Sequence, residues 1–364
     1  MGGGPAVLLI ALPVPVPDAI VTRLSKKFPH LEIKTVQVTW FPSAVEVADK
    51  ISNELWKQVS VLATFRALPA NPKQDAPNLS LVHLSSAGSN QIHDHPLYTD
   101  TDITITTSTG IHGPQIAEWV ILTGLAQSHH MRKLYDLQDK HQWKGPTGGQ
   151  YPPVRDKAGQ RIGILGYGSI GRQVGRLANA LGMEVLAYTA TPKESQESRR
   201  DTGFIVPGTG DADGEYPTEW YSGLDKKSLN HFLAQDIDWL VVSVPLTPQT
   251  QHFLGKTEFE SLSQGGKKPA FISNIARGAI INQTEMISAL KDGLLSGAAL
   301  DVTDPEPLPE TSELWDLPNV TITPHVSGAT EAYFERSFQV LELNLQRRDA
   351  GEKLVNVVDR RRGY

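Results

Sequence analysis

The sequence predicts an α/β protein of two domains, each a parallel sheet flanked by helices. Three observations predict it. Short apolar runs alternate with stretches of helical periodicity along most of the chain, the βαβ pattern that requires parallel strands. The alternation starts twice, at Val7 and again at Arg161, and 364 residues hold roughly two domains of about 150 residues each. Finally, a Gly166-Tyr167-Gly168-Ser169-Ile170-Gly171 turn stands between a strand-like run and a helix-like one, and downstream of it Arg277, Glu306 and His325 each lie just past an apolar run. Ligands of open α/β sheets bind outside the carboxyl ends of the strands, so these positions converge on one crevice.

The first alternation runs through Thr107. Val7–Leu12, Glu32–Val38, Val61–Thr64, Leu79–Leu84 and Asp102–Thr106 read as strands. Pro17–Lys27 and Ser43–Val59 carry apolar residues at helical spacing, the second behind an N-cap serine. Gln115–Gln127 is apolar nearly all round, with Ile116, Trp119, Val120, Ile121, Leu122 and Leu125, and is expected to be buried between domains or in a subunit interface.

The second alternation supplies strands at Arg161–Leu165, Glu184–Tyr188, Asp238–Val242, Ala270–Asn274, Ala298–Asp301 and Val320–Thr323, the six of a doubly wound dinucleotide fold. Thr191–Ser228 breaks the short-loop norm. Its richness in Gly, Pro, Asp and Glu marks a long surface excursion of the functional or mobile kind. A last helix is expected over Glu331–Gln346, returning to the first domain and making the second an insert. The boundaries expected are 1–113 and 328–364 for a substrate-binding domain and 114–327 for a nucleotide-binding one.

Composition narrows the function classes. With 39% hydrophobic and 20% charged residues and a net charge of −6, the chain lacks the basic footprint of a nucleic-acid binder. The N-terminal apolar stretch Ala6–Val14 has no basic residues before it and is broken by Pro13, Pro15 and Pro17, so it reads as a strand and turn rather than a signal peptide. No membrane role is expected, and the cytoplasm is the default location. The absence of cysteine excludes disulfides, thiolate zinc sites and cysteine nucleophiles.

In the glycine turn, Gly166 permits the tight bend, Gly168 lets a pyrophosphate approach the backbone, and Gly171 allows close helix–strand packing. The amides of Ser169 and Ile170 then lie at a positive helix end. The acidic residue that usually ends the second strand and binds ribose hydroxyls is missing: the sequence there is Tyr188-Thr189-Ala190, followed by Lys193, Arg199 and Arg200. A neutral Thr189 removes repulsion against a 2′-phosphate and nearby cations attract it, so NADP(H) is favoured, with NAD(H) possible. The competing reading has these cations merely solvating a loop.

A carboxylate such as Glu306 on one ring nitrogen of His325 fixes the tautomer and favours the protonated form, which can then protonate a ketone oxygen. The planar fork of Arg277 can hold a substrate carboxylate and carbonyl together. Structural alternatives stand beside both: a structural histidine and a surface ion pair. Asp301, Asp304 and Glu306 place three acids within six residues, but no histidine neighbours them and no metal site is expected.

Taken in order, Gly163–Gly171, Val244–Thr250, Asn274–Gly278, Gly297–Val302 and Thr323–His325 resemble the motifs of the D-isomer-specific 2-hydroxyacid dehydrogenase family, from about Leu79 to Gly328. That resemblance implies two Rossmann-like domains with the active site in the cleft between them. It implies His325 as acid/base, Glu306 as its partner and Arg277 as substrate anchor. Gly166, Tyr167, Gly168, Ser169, Ile170, Gly171, Thr189, Pro245, Thr250, Ala276 and Asp301 fall on the cofactor side, with Asp301 near the nicotinamide carboxamide. Ser86, Ala87 and Gly88 resemble the loop whose amides hold the substrate carboxylate, and His112 is a further candidate for the pocket wall.

The reading that results is an NAD(P)-dependent oxidoreductase, NADPH-preferring, that interconverts a 2-oxo acid and a (D-)2-hydroxy acid, for example of the glyoxylate/hydroxypyruvate type. A homodimer is expected. No tyrosine has Lys four positions later, which argues against a short-chain dehydrogenase, and Glu306 in place of an amide argues against a formate dehydrogenase. The rival of another class is a dinucleotide-sensing, corepressor-like module on the same scaffold.

Overall fold

The computed structural model describes residues 6–145, 154–361 and 363. The chain divides into two compact units, Met1–Ile111 with Glu331–Tyr364, and His112–Thr330. Each is a parallel sheet with helices on both faces.

In the first unit β1 (Ala6–Leu12), β2 (Leu31–Gln37), β3 (Val59–Thr64), β4 (Leu81–Leu84) and β5 (Thr104–Thr107) form a sheet of order β2-β1-β3-β4-β5, parallel throughout. The strands are short; β1, β3 and β4 are almost wholly buried and read as largely apolar runs, whereas the edge strand β2 is mostly solvated. One face packs Val7, Leu9, Leu62 and Val82 under Trp56 and Leu97, and the other packs Leu8, Ile10 and Val61 under Leu24, Phe338 and Leu341. Phe338 and Leu341 come from the C-terminal helix Tyr333–Asp349, so residues far apart in sequence close this core. The same helix is pinned by Glu342, which receives Arg23 at 2.7 Å and Lys27 at 2.9 Å.

The expected helix over Ser43–Val59 is two, Ala44–Lys50 and Asn53–Trp56. Ser43 caps the first as expected. Ser52 ends the run because its side chain accepts the Leu55 amide and starts a new turn.

A buried polar chain crosses this unit. His83 is 1% exposed, with Nδ1 3.1 Å from Thr106 Oγ1 and Nε2 3.1 Å from Ser108 Oγ; Ser108 Oγ is 2.8 Å from Ser337 Oγ on the C-terminal helix. Burial pushes the imidazole down to about 4. An unfolded histidine titrates near 6.5, so between those values the unfolded chain binds the extra proton. The associated stability is complete above about pH 6.5 and is lost as pH falls through about 4, up to roughly 3 kcal/mol. Urea unfolding at pH 7 and pH 4.5 should show a steeper loss for the wild type than for His83→Gln; identical pH slopes would refute it.

The second unit has seven strands: β6 (Arg161–Leu165), β7 (Glu184–Thr189), β8 (Pro217–Ser222), β9 (Trp239–Val242), β10 (Ala270–Asn274), β11 (Leu295–Leu300) and β12 (Val320–Ile322). Their order is β12-β11-β10-β9-β6-β7-β8, parallel throughout, with the topological switch between β6 and β9. The expected count of six is corrected by β8. That strand, Pro-Thr-Glu-Trp-Tyr-Ser, begins with proline, sits at the sheet edge and is solvated over most of its length, so it carries no apolar run to betray it.

The Thr191–Ser228 excursion is therefore not a bare surface loop. It contains the helix Gln196–Arg199 as well as β8, and it is anchored beneath the glycine turn. Asp211 is 4% exposed and accepts Tyr167 Oη at 2.8 Å and the Glu215 amide at 2.8 Å. Arg172, stacked near the Tyr167 ring, donates to the carbonyls of Asp211 and Arg199, each at 2.5 Å.

The helix expected over Gln115–Gln127 spans Gly113–Ser128, but it is not buried all round. Ile116, Ala117, Val120, Thr123 and Gly124 are buried, whereas Leu122 is 65% exposed. Gly124 is what lets it lie on the sheet: a Cβ there falls 2.1 Å from the Trp239 ring. Among the described residues no helix is long and apolar enough to cross a membrane.

Candidate active site

The second unit gathers its chemistry at the carboxyl ends of its strands. After β6, Gly166 adopts φ +104°, and a Cβ on it meets the Ser243 carbonyl carbon at 2.7 Å, so only glycine passes the end of β9. At Gly171 a Cβ falls 2.3 Å from the Gly166 carbonyl oxygen, which makes this the close helix–strand contact. Gly168 differs from both. Nothing lies within 4 Å of a Cβ built there, so open space adjoins the turn at the start of the 12-residue helix Ser169–Ala180. That cradle, with Ser169 and Ile170 in the helix's first turn, fits a pyrophosphate. Tyr167 contributes only backbone to that cradle: its side chain is 3% exposed, turned into the core toward Asp211, and desolvation there raises its phenol pKa far above the ordinary value.

At the end of β7, Thr189 turns its hydroxyl back to the Thr191 carbonyl at 2.7 Å. Of the three cations that follow, Arg200 pairs with Glu197 at 3.1 Å and Asp213 at 3.3 Å. Arg199 donates to the Lys193 carbonyl at 3.1 Å and lies over the Trp220 ring. Neither Arg199 nor Lys193 has an ion-pair partner among the described residues, but the Arg199 guanidinium is engaged by the carbonyl and the ring. After β9, Thr250 is buried and knots its loop by donating to the Pro245 carbonyl at 2.7 Å and accepting the Thr247 amide at 2.8 Å.

Arg277 follows β10 in a turn built by Asn274. The Asn274 side chain accepts the Ala276 amide at 3.1 Å and donates to the Arg277 carbonyl at 3.1 Å, an Asx-type closure. Ala276 is 8% exposed inside this turn, and its carbonyl accepts Arg277 Nη1 at 2.6 Å. Gly278 lets the turn press on the next strand end, since a Cβ there lies 2.0 Å from the Thr303 carbonyl. Arg277 keeps access to solvent, yet desolvation by its surroundings pushes its pKa below the ordinary arginine value, while the Glu306 charge acts the other way.

Glu306 lies between cis Asp304–Pro305 and cis Glu306–Pro307 bonds. Thr303 Oγ1 donates to the Pro305 carbonyl at 2.9 Å, and Gln283 Oε1 accepts the Asp304 amide at 3.1 Å. His325, three residues beyond β12, adopts φ +54°. Its Nδ1 sits 2.6 Å from Glu306 Oε1, with both side chains roughly half exposed.

Asp301 holds this histidine in place. The carboxylate is on a residue 2% exposed, and both oxygens are taken up by the turn around His325: Oδ1 accepts Thr323 Oγ1 at 2.6 Å and the Val326 amide at 2.9 Å, and Oδ2 accepts the Ser327 amide at 3.0 Å and Ser327 Oγ at 2.5 Å. The Asp301 carbonyl accepts the His325 amide as well, at 2.9 Å. A cavity of about 230 Å³ lined by Asp301, Thr303, Glu306, Leu308, Trp315 and His325 adjoins the pair.

Three positions outside the expected set shape this site: Asn274, Gln283 and Ser327. Asn274 had a signal, an Asx residue at a strand end ahead of a turn. Gln283 had none, because its partner lies 21 residues on. His112 begins the helix Gly113–Ser128, is 7% exposed, and has its ring near Gly328.

In the first unit the loop after β4 is likewise tied. Ser86 Oγ donates to the Gly88 carbonyl at 2.8 Å and accepts Gln91 Nε2 at 2.7 Å, and Thr109 Oγ1 donates to the Ala87 carbonyl at 2.9 Å. The amides of Ala87 and Gly88 donate to no acceptor among the described residues.

A family model described as the NAD-binding domain of D-isomer specific 2-hydroxyacid dehydrogenases matches residues 121–206 and 213–327. The glyoxylate reductase of Thermococcus gammatolerans is 27% identical over 321 residues, covering 87% of this chain and 86% of the relative. The glycerate dehydrogenase of Methylorubrum extorquens is also 27% identical, covering 94% of this chain and 96% of the relative. A D-isomer specific 2-hydroxyacid dehydrogenase from Xanthobacter autotrophicus Py2, solved with NADPH and MES, superposes with a TM-score of 0.73 at 25% identity, over 99% of this chain and all of that one. A match over more than half of the chain, carried by the same strand ends that hold Arg277, Glu306 and His325, places this protein in the D-isomer specific 2-hydroxyacid dehydrogenase family.

Proposed function

We propose that this chain is an NADPH-preferring 2-oxo acid reductase that yields a D-2-hydroxy acid, with His325, Glu306 and Arg277 as its catalytic residues. The observation that carries the reading is the 2.6 Å contact between His325 Nδ1 and Glu306, on the same sheet as the open Gly168 cradle. A nicotinamide dinucleotide, when bound, supplies the hydride to C2 of the oxo acid or takes it back.

The residues do the rest. With Nδ1 committed to Glu306, His325 presents Nε2, whose proton passes to the forming alkoxide oxygen; Glu306 stabilises the charged ring beforehand and keeps its tautomer afterwards. In the oxidative direction the neutral Nε2 takes the hydroxyl proton. Arg277 holds the substrate carboxylate and polarises the carbonyl, with the Ala87 and Gly88 amides as further carboxylate donors. Ser86 braces that loop. Gly166, Gly168, Ser169, Ile170 and Gly171 receive the pyrophosphate, and the Pro245–Thr250 loop and Ala276 border the ribose and nicotinamide. Asp301 acts on that side through the turn it holds.

The preference for NADPH rests on Thr189, which offers no carboxylate to ribose hydroxyls, and on Lys193, which is available to a 2′-phosphate. Arg199 and Arg200 contribute less, since their guanidinium groups are already engaged. A homodimer fits the exposed Leu122 on an otherwise apolar helix.

The test is the initial rate of NADPH and NADH oxidation with a panel of 2-oxo acids. Turnover faster with NADPH is the expected result; binding of nucleotide without turnover would favour the sensing module instead. Thr189→Asp should move the preference toward NADH by about tenfold or more, the worth of one charged hydrogen bond gained and one repulsion introduced. An unchanged cofactor ratio would remove Thr189 from the argument.

A further inference from the structure

The carboxyl end of the first unit's sheet carries a group of aromatic rings that nothing so far has used. Trp40 follows β2, Phe65 follows β3 directly, and Tyr333 and Phe334 open the C-terminal helix. Trp40 lies 5.5 Å from Phe65 and 6.5 Å from Phe334, centroid to centroid. Phe65 stacks on Tyr333 at 6.1 Å and meets Phe334 edge-on at 6.1 Å. Phe65 and Phe334 pack against the core of this unit with part of their surface left uncovered. Trp40 is 53% exposed, its neighbour Phe41 is 75% exposed, and Phe65, Tyr333 and Phe334 are only part-buried.

Leaving this much aromatic surface in water is unfavourable, and a contiguous patch of it marks a binding surface. Its position narrows the occupant. Tyr333 Oη donates to the Ser85 carbonyl at 3.0 Å, and Gln91 donates both to the Phe65 carbonyl at 3.4 Å and to Ser86 Oγ at 2.7 Å. The patch is thus bonded to the loop that carries the Ala87 and Gly88 amides. The loop proposed to take the substrate carboxylate is therefore the one to which these rings are bonded.

We propose that the physiological 2-oxo acid carries a large apolar side chain, of the arylpyruvate class, and that Trp40 and Phe65 are its specificity-determining residues. The inference rests on the proposed reductase reading and adds the substrate class to it. A planar apolar side chain gains offset-stacked or edge-to-face contacts on Trp40 and Phe65 that the bare aldehyde of glyoxylate and the hydroxymethyl group of hydroxypyruvate cannot make.

Steady-state kinetics with NADPH test it. The wild type is expected to show kcat/KM for phenylpyruvate at least about tenfold above that for glyoxylate or hydroxypyruvate. Trp40→Ala should lower the phenylpyruvate-to-glyoxylate ratio about 3- to 10-fold, the worth of one aromatic contact, and Trp40→Phe should largely restore it. Phe65→Ala should lower the same ratio independently. A wild-type preference for glyoxylate or hydroxypyruvate overturns the proposal while leaving the reductase reading intact, as does a ratio indifferent to Trp40 and Phe65, the outcome for a patch that docks a protein. Turnover of no 2-oxo acid overturns both.

Discussion

Replacing His325 with Ala is expected to lower kcat by a factor of about 10² to 10⁴, the usual range for removing a general acid. The expectation follows from geometry in which Nδ1 is already occupied by Glu306 at 2.6 Å, leaving one ring nitrogen for the substrate. Glu306→Gln keeps a hydrogen-bond partner for the ring and holds Nε2 toward the substrate, so its loss should be smaller. Steady-state rates at saturating cofactor and substrate check both. A His325→Ala enzyme that turns over at near wild-type speed would remove this histidine from the chemistry.

Asp301→Ala is expected to cost on the order of 3 kcal/mol of stability, because it strips the shared acceptor from two backbone amides and two hydroxyls that meet on a buried carboxylate. The same change releases the turn that carries His325, and a displacement of about 1 Å at a reacting group can cost about 10²-fold in rate. Asp301→Asn retains part of the acceptor set and should fall between. Urea denaturation together with kcat measured well below the unfolding transition separates the two effects. Were Asp301→Ala as stable and as fast as the wild type, the four bonds that converge on it would carry no weight.

Much of this architecture is readable from pattern alone. Central parallel strands are buried on both faces and form apolar runs, and with the βαβ alternation around them all five strands of the first unit and six of the second are visible within a few residues. The glycine spacing likewise encodes a local geometry, with Gly166 forced to a positive φ by the end of β9 and Gly168 facing open space. The strand β8 escaped because an edge strand needs no apolar run, and its neighbours in sequence look like linker. The apolar helix Gly113–Ser128 is expected to be buried between domains or in a subunit interface; within the chain it is covered on one side only, with Leu122 65% exposed, because periodicity does not say what covers each apolar face.

The sequence by itself determined the two alternations, the dinucleotide turn, and the placement of Arg277, Glu306 and His325 at strand ends, because each follows from short-range spacing and from the rule that binds ligands at the carboxyl ends of parallel strands. Only the tertiary structure decided how those residues are held. Glu306 reaches a histidine 19 positions away, Asp301 collects donors from 22 to 26 positions on, and Tyr167 spends its hydroxyl on an aspartate 44 positions away. Such contacts depend on which loops the sheet order brings side by side, and spacing along the chain carries no record of that.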